Sequence, residues 1–146
     1  MLEQIIKEKT SADHLLYVSL KYTKTCDVIL NLIKRWAVMM GASVDGLLVQ
    51  AKKNKKLKVI PAAPRQKIEL VKKTFKNSPE IMKIMELYEF FKRIDNLSKK
   101  REFEFRKNVR LVVNDNGKEV IIDLEKLKEY SKNLDIFIES IKKYLA

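Results

Sequence analysis

Apolar residues recur three or four positions apart from Thr10 to Met40, and this spacing places them on one side of a helix. The positions are Leu15, Val18, Tyr22, Cys26, Ile29, Ile33, Trp36 and Met40. The capping-box pattern at 10–13 predicts the start of this helix, and Gly41 predicts its end. A helix of this length would reach roughly 45 Å, so other helices must cover its apolar side.

Further helices follow from the same periodicity and from helix-start signals. Ser43 predicts the cap of a second helix, and residues 65–76 form a short third one. Ser78 followed by Pro79 predicts a helix that continues to about Phe105. A last helix begins behind Asp123, and its apolar seam consists of Leu124, Leu127, Leu134, Ile138, Ile141 and Leu145.

The apolar pattern changes before the last helix, where two β-branched runs cover residues 109–113 and 119–122. Asn116-Gly117 between them is a strong hairpin signal, because both residues accept a positive φ. An isolated hairpin is marginal in water, so this one must pack on the helices or pair with another chain. We therefore predict that residues 1–146 form a single, mainly α domain. It is an up-and-down helical bundle built on a long N-terminal helix, with one β-hairpin inserted at about 109–122.

The composition is consistent with one helical domain. The 146 residues include only 3 Gly and 3 Pro, which favours a few long helices over many short strands. Cys26 is the only cysteine, so an intramolecular disulfide is excluded. Neither a signal peptide nor an apolar run long enough to cross a bilayer is visible, so we expect a cytoplasmic location and no membrane partner.

Positive charge is concentrated in the first half of the chain. Up to Lys76 there are 16 Lys and Arg against 6 Asp and Glu, whereas the remainder has 15 against 13. Within 51–76 only Glu69 is acidic, and the basic residues predicted to neutralise nucleic-acid phosphates are Lys52, Lys53, Lys55, Lys56, Lys58, Arg65, Lys67, Lys72, Lys73 and Lys76. The alternative is a solvated lysine-rich surface, since Phe75 is the only aromatic residue in this stretch.

A second basic cluster mixes charge with aromatic side chains. Phe103 and Phe105 alternate with basic residues as they do on surfaces that bind single strands. The predicted binding residues here are Lys99, Lys100, Arg101 and Arg106, with Lys107 and Arg110 beside them. Alternatively, the phenylalanines pack the end of a helix, and Glu102 and Glu104 dilute the charge.

Catalytic groups are scarce. The single His14 and the single cysteine cannot assemble a zinc site. The pair Asp13-His14 is better explained by helix capping than by acid–base chemistry. Residues 41–46 come close to a Gly-x-Ser-x-Gly nucleophile elbow, but that elbow follows a strand, and a helix is predicted here. With no Gly-rich phosphate loop either, we predict no catalytic residue, no cofactor and no metal.

The segment Leu15-Leu16-Tyr17-Val18-Ser19-Leu20-Lys21-Tyr22 resembles the first helix of small prokaryotic helical-bundle proteins of the HEPN type. The resemblance extends to helix lengths and order over about two-thirds of the chain. That superfamily includes partners of nucleotidyltransferases and RNA-cleaving toxins. Its active members carry an Arg followed four to six residues later by His, a motif missing here because His14 precedes Arg35 and every later arginine. The resemblance therefore implies a non-cleaving relative.

From these observations we expect a non-enzymatic cytoplasmic binding module that contacts RNA or DNA through its Lys-rich side. We also expect a homodimer, because the hairpin has no obvious third strand and the long first helix is broadly apolar. Two alternatives remain open. One is a nucleic-acid-processing enzyme with Lys and Arg in place of the missing His, and the other is a protein–protein adaptor.

Overall fold

The computed structural model describes residues 1–145, and helices dominate it. The elements in chain order are α1 (Leu2–His14), a π-helical turn (Leu15–Ser19), α2 (Leu20–Tyr22), α3 (Cys26–Lys53), α4 (Pro64–Thr74), α5 (Pro79–Arg93), a 3-10 turn (Ile94–Asn96), β1 (Ser98–Glu102), β2 (Arg110–Asp115), β3 (Lys118–Ile122) and α6 (Leu124–Leu145). The predicted class is confirmed: the chain is mainly α, it has a long N-terminal helix, and a hairpin precedes the last helix.

The helix predicted over 10–40 is wrong in its bounds, because the structure contains two helices there. The first runs from Leu2 through the π-helical turn to Tyr22, and Thr23 is extended. Thr25 then starts α3, its hydroxyl oxygen accepting a hydrogen bond from the Val28 amide at 3.4 Å. The two helices pack against each other along their lengths, so both bury one side in the same core. One apolar period therefore crosses the break without a change in pattern.

The ends predicted from capping residues inside these helices are also wrong. Thr10 lies inside α1, where its hydroxyl donates to the Ile6 carbonyl at 2.9 Å. Gly41 continues α3, and a Cβ at this position would lie 3.1 Å from the Tyr88 hydroxyl, so close packing explains the glycine. Ser43 is buried and donates to the Met39 carbonyl at 3.0 Å. Each of these residues lies inside a helix, although the local pattern predicted a helix terminus there.

The extension of α5 to Phe105 is wrong as well, because residues 98–102 form a strand. This strand, β1, pairs antiparallel with β2, with Lys100 opposite Val112, and the sheet order is β1-β2-β3. An edge strand of Ser, Lys, Lys, Arg and Glu carries none of the apolar alternation that predicts strands, although such charged edges are common in natural sheets. The hairpin itself is confirmed, and both turn residues, Asn116 and Gly117, have positive φ.

The core surrounds the middle of α3. Trp36 is fully buried, stacked on Phe91 with ring centroids 6.2 Å apart and edge-on to Tyr130 at 6.3 Å. The caps predicted for the last two long helices are confirmed: Ser78 accepts from the Ile81 amide and Asp123 from the Lys126 amide. Among residues 1–145, no helix combines the length and the apolar character needed to cross a membrane.

Candidate nucleic-acid interfaces

The C-terminal ends of α3, α4 and α6 meet at one end of the molecule. Phe75, at the end of α4, packs edge-on against Tyr144 of α6 with ring centroids 5.0 Å apart. The Lys56 ammonium, just beyond α3, lies 5.4 Å from the centroid of the same Tyr144 ring. We call this region the basic end, and its exposed lysines are Lys52, Lys53, Lys55, Lys56, Lys58, Lys73, Lys76 and Lys143.

None of these exposed lysines forms an ion pair with an acidic side chain of residues 1–145. Part of their charge is explained locally, since cations in the last turn stabilise a helix through its macrodipole. Lys55 adopts a left-handed conformation with φ 60, and the Lys56 amide donates back to the Ala51 carbonyl at 2.9 Å. These features form the turn that usually ends a helix with glycine.

Three other residues predicted in the same stretch have acidic partners. Lys72 is paired with Glu89 across the α4–α5 contact. Lys67 donates to Asp45 of α3 at 2.9 Å. Arg65, at the opposite end of α4, lies 3.9 Å from its neighbour in the next helical turn, Glu69. Lys67 and Lys72 therefore join α4 to its neighbouring helices, and Arg65 pairs within α4. In having acidic partners, these three residues differ from the unpaired lysines of the basic end.

The second predicted cluster lies in and after β1, and part of it holds the fold together. Lys99 donates to the carbonyls of Ile94 and Leu97 at 2.8 and 3.0 Å, which satisfies the end of the 3-10 turn. Arg101 binds Asp27 of α3 at 2.7 Å, and this contact raises the pKa of the Arg101 guanidinium. By contrast, Lys100 and Arg106 are exposed and have no ion-pair partner among residues 1–145.

The loop after β1 lies against the break between α2 and α3. The Phe105 amide donates to the Lys24 carbonyl at 2.6 Å, and Glu104 accepts from the Cys26 amide at 3.4 Å. Phe103 and Phe105 both have positive φ, 56 and 68, and both side chains are exposed. The phenylalanines therefore do not pack the end of a helix, which was one of the two sequence interpretations.

Two tyrosines that sequence reasoning missed are exposed in the same region. Tyr22 was assigned to the buried side of the first helix, but it ends α2 at the surface, two residues before Lys24. Tyr17 lies in the π-helical turn and lines a groove with Lys21 and Lys24. We call this region the aromatic end, and its members are Tyr17, Tyr22, Phe103 and Phe105 with Lys21, Lys24, Arg106, Lys107 and Lys128.

The basic end and the aromatic end lie at opposite ends of α3. This helix has 28 residues, so it separates them by roughly 40 Å at 1.5 Å per residue. The two clusters predicted from sequence are therefore two distinct surfaces.

The residues considered for catalysis do not form a site, and His14 is exposed at the C-terminal end of α1, where the predicted helix start does not exist. Asp13 accepts hydrogen bonds from Lys9 and Ser131, which occupy both of its oxygens. Cys26 is fully buried, and burial, followed by the nearby Glu104 carboxylate, raises the pKa of its thiol. Residues 1–145 contain no group of three His, Cys, Asp or Glu side chains that could hold a metal ion.

Comparisons of the chain with protein-family models, with curated proteins and with solved structures gave no match. The resemblance to HEPN-type proteins therefore stays a prediction from sequence, and the function must be argued from the two surfaces themselves.

Proposed function

We propose that this chain is a non-enzymatic nucleic-acid-binding module that holds the phosphate backbone at its basic end. The observation that carries the proposal is the meeting of three helix ends whose exposed lysines have no acidic partner among residues 1–145. Such lysines gain affinity for a polyanion by releasing its condensed counterions. The two aromatic rings at this end, Phe75 and Tyr144, are partly buried against each other, so we assign them no stacking on bases.

Complementing the helix dipoles accounts for only some of these charges. Lys58 and Lys76 lie beyond the last turns of α3 and α4, where the dipole effect has faded. Lys55 occupies a left-handed position that glycine would adopt without cost. Positive charge at these positions therefore favours an anionic partner. Because ammonium groups bound to phosphates read no base edges, binding at this end is expected to be independent of sequence.

The test is the salt dependence of binding, measured by anisotropy with a labelled RNA hairpin. The variant K52A/K53A/K55G/K76A removes four charges from the basic end, and glycine suits the positive φ at position 55. The slope of log affinity against log salt should fall by about 3–4, because each phosphate contact contributes about 0.7–0.9. Far-ultraviolet circular dichroism should show unchanged helicity.

The matched control is K7A/K34A/K83A/K132A, which removes the same charge from exposed positions along the body of the bundle. Its salt slope should stay close to that of the wild type. Equal losses in both variants would show that net charge alone drives binding. No binding by the wild type at low salt would refute the proposed function.

We also propose that the chain self-associates, on the ground that Ile6 of α1, Val18 of the π-helical turn and Val38 of α3 are exposed. The other ground was wrong, because β1 supplies the third strand that the hairpin was predicted to lack. Equilibrium sedimentation at micromolar protein should give twice the chain mass of 17.2 kDa. A mass of one chain across that range would refute self-association.

A further inference from the structure

We infer that the aromatic end binds unpaired bases, so that the ligand of this protein is a single-stranded nucleic acid. The inference rests on the proposed function and deepens it. The basic end offers charge alone and would accept single strands and duplexes alike, whereas the aromatic end offers rings that only an unstacked base can cover.

Exposed aromatic side chains are confined to this end. The chain has 12 aromatic residues, and those that are exposed within residues 1–145 are Tyr22 (78%), Phe105 (75%), Tyr17 (54%) and Phe103 (45%). All the others are buried or partly buried. At this end four large rings are exposed to solvent, whereas the other rings are buried or partly buried. Such an exposed set indicates a partner that covers it.

The backbone holds two of these rings at the surface in a strained conformation. A bulky side chain rarely adopts positive φ, yet Phe103 and Phe105 both do so without burying their rings. The contacts of Phe105 with Lys24 and of Glu104 with Cys26 anchor the loop to the start of α3. Such strain persists where the surrounding structure over-determines it, and it concentrates at functional sites.

Tyr17 and Phe103 each line a groove, and Leu124, the first residue of α6, lines both grooves. The groove of Tyr17, of about 240 Å³, is lined also by Leu16 and Leu20 and by the lysines Lys21, Lys24 and Lys128. The other, of about 220 Å³, is lined by Phe103, Lys107 and Arg110 among others. Apolar surface beside cations suits a strand whose bases stack inward while its phosphates face the ammonium groups.

Tyr17 is presented by a π-helical turn, a rare element frequent at functional sites.

Three acidic residues of this end are paired with neighbouring arginines. Asp27 and Glu104 bind Arg101, and Glu102 binds Arg110 at 2.7 Å. Asp123 caps α6, and Glu125 is the exposed acid of the second groove. Arg110 also lies over the Phe103 ring, 5.4 Å from its centroid, which fixes both side chains beside the groove. The lysines that line the grooves, Lys21, Lys24, Lys107 and Lys128, form no ion pair with an acidic side chain of residues 1–145 and are left to attract phosphates.

The test uses the full chain with a labelled oligo(dT) and a DNA duplex of the same length, measured by anisotropy. The variant Y22A/F105G removes two rings without changing charge, and glycine at 105 accepts the positive φ. Its affinity for oligo(dT) should fall about 10-fold or more, since stacking on one ring alone contributes about that much. Its salt slope and its affinity for the duplex should not change. The control I121A/I136A truncates exposed apolar side chains elsewhere and should bind like the wild type.

Equal oligo(dT) affinity for wild type and Y22A/F105G, with binding still sensitive to K52A/K53A/K55G/K76A, would overturn this inference and leave the proposed function standing. No binding of either nucleic acid at low salt would refute both the inference and the proposed function.

Vesicles containing phosphatidylserine are a further probe in the same assay. Ring-dependent binding to vesicles, with none to oligo(dT), would reassign the aromatic end to a lipid surface and overturn the inference. A thermal melt of each variant by circular dichroism excludes unfolding as the cause of any loss.

Discussion

Trp36→Ala is expected to lower the free energy of unfolding by about 3–5 kcal/mol, as measured by urea titration. The side chain is fully buried in the middle of α3 and contacts the rings of Phe91 and Tyr130. Alanine would remove its apolar area and leave a cavity, because the packed helices α3, α5 and α6 cannot move together far enough to fill it. Tyr130 is buried beside it, and this burial, with a smaller effect of the nearby Glu129 carboxylate, raises the pKa of Tyr130 to about 12.

Trp36→Phe separates volume from the polar group. The indole Nε1 of Trp36 has no hydrogen-bond partner among the residues described, so its loss removes an unsatisfied donor and offsets part of the lost packing. The cost should therefore be clearly smaller than that of alanine. Val38→Ala, two residues along the same helix but exposed, should change stability by less than about 0.5 kcal/mol. A near-neutral Trp36→Ala would mean that the indole is not part of the core.

Lys9→Ala is expected to cost about 3 kcal/mol, at the lower end of the range for removing one partner of a buried ionic network. Lys9 is 4% exposed, and its ammonium contacts Asp13, Ser131 and Asp135 at 2.5, 3.0 and 2.8 Å. These contacts join α1 to the middle of α6. The substitution would leave Asp13 and the Ser131 hydroxyl without their shared cation, and it would open space where the aliphatic stem had packed.

Asp135→Ala is the matched control, because this carboxylate is largely exposed and its ion pair should contribute little. A double-mutant cycle of Lys9→Ala with Asp13→Ala would isolate their coupling from the cavity that both variants create. Unfolding by urea would measure each corner. Equal small effects for Lys9→Ala and Asp135→Ala would show that the network adds no stability and that the buried lysine is tolerated rather than required.

The contacts of the predicted site residues show what a charge pattern in the sequence can and cannot predict. The sequence located both basic clusters, because charge density is visible without a fold. It did not show which charges are consumed by the structure itself. Arg101 is paired across the fold with Asp27, and Lys99 satisfies backbone carbonyls, whereas Lys100 and Arg106 have no such partners. Pairings between residues distant in the chain depend on which helices become neighbours, and composition carries no record of that.

Tyr22 and the two phenylalanines illustrate a related limit. Helical spacing placed Tyr22 with Cys26 on one apolar side, but the break at residues 23–25 ends the helix and leaves the ring at the surface. Residues 103–105 were expected inside a helix and instead lie in a loop that follows an edge strand. The surface that we assign to unpaired bases exists only because these two segments touch at Lys24 and Phe105.

The elements that could be predicted without a fold are those with local signals. Asn116-Gly117, the Ser78 and Asp123 caps and the seam of α6 were all predicted, because each depends on hydrogen bonds or side-chain spacing within a few residues. The remaining elements depend on tertiary contacts. Gly41 lies inside α3, where the Tyr88 hydroxyl leaves little room for a Cβ, and residues 98–102 form a strand that pairs with the edge of β2. In both cases the deciding contact is with a residue far along the chain, and a local sequence pattern does not show such a contact.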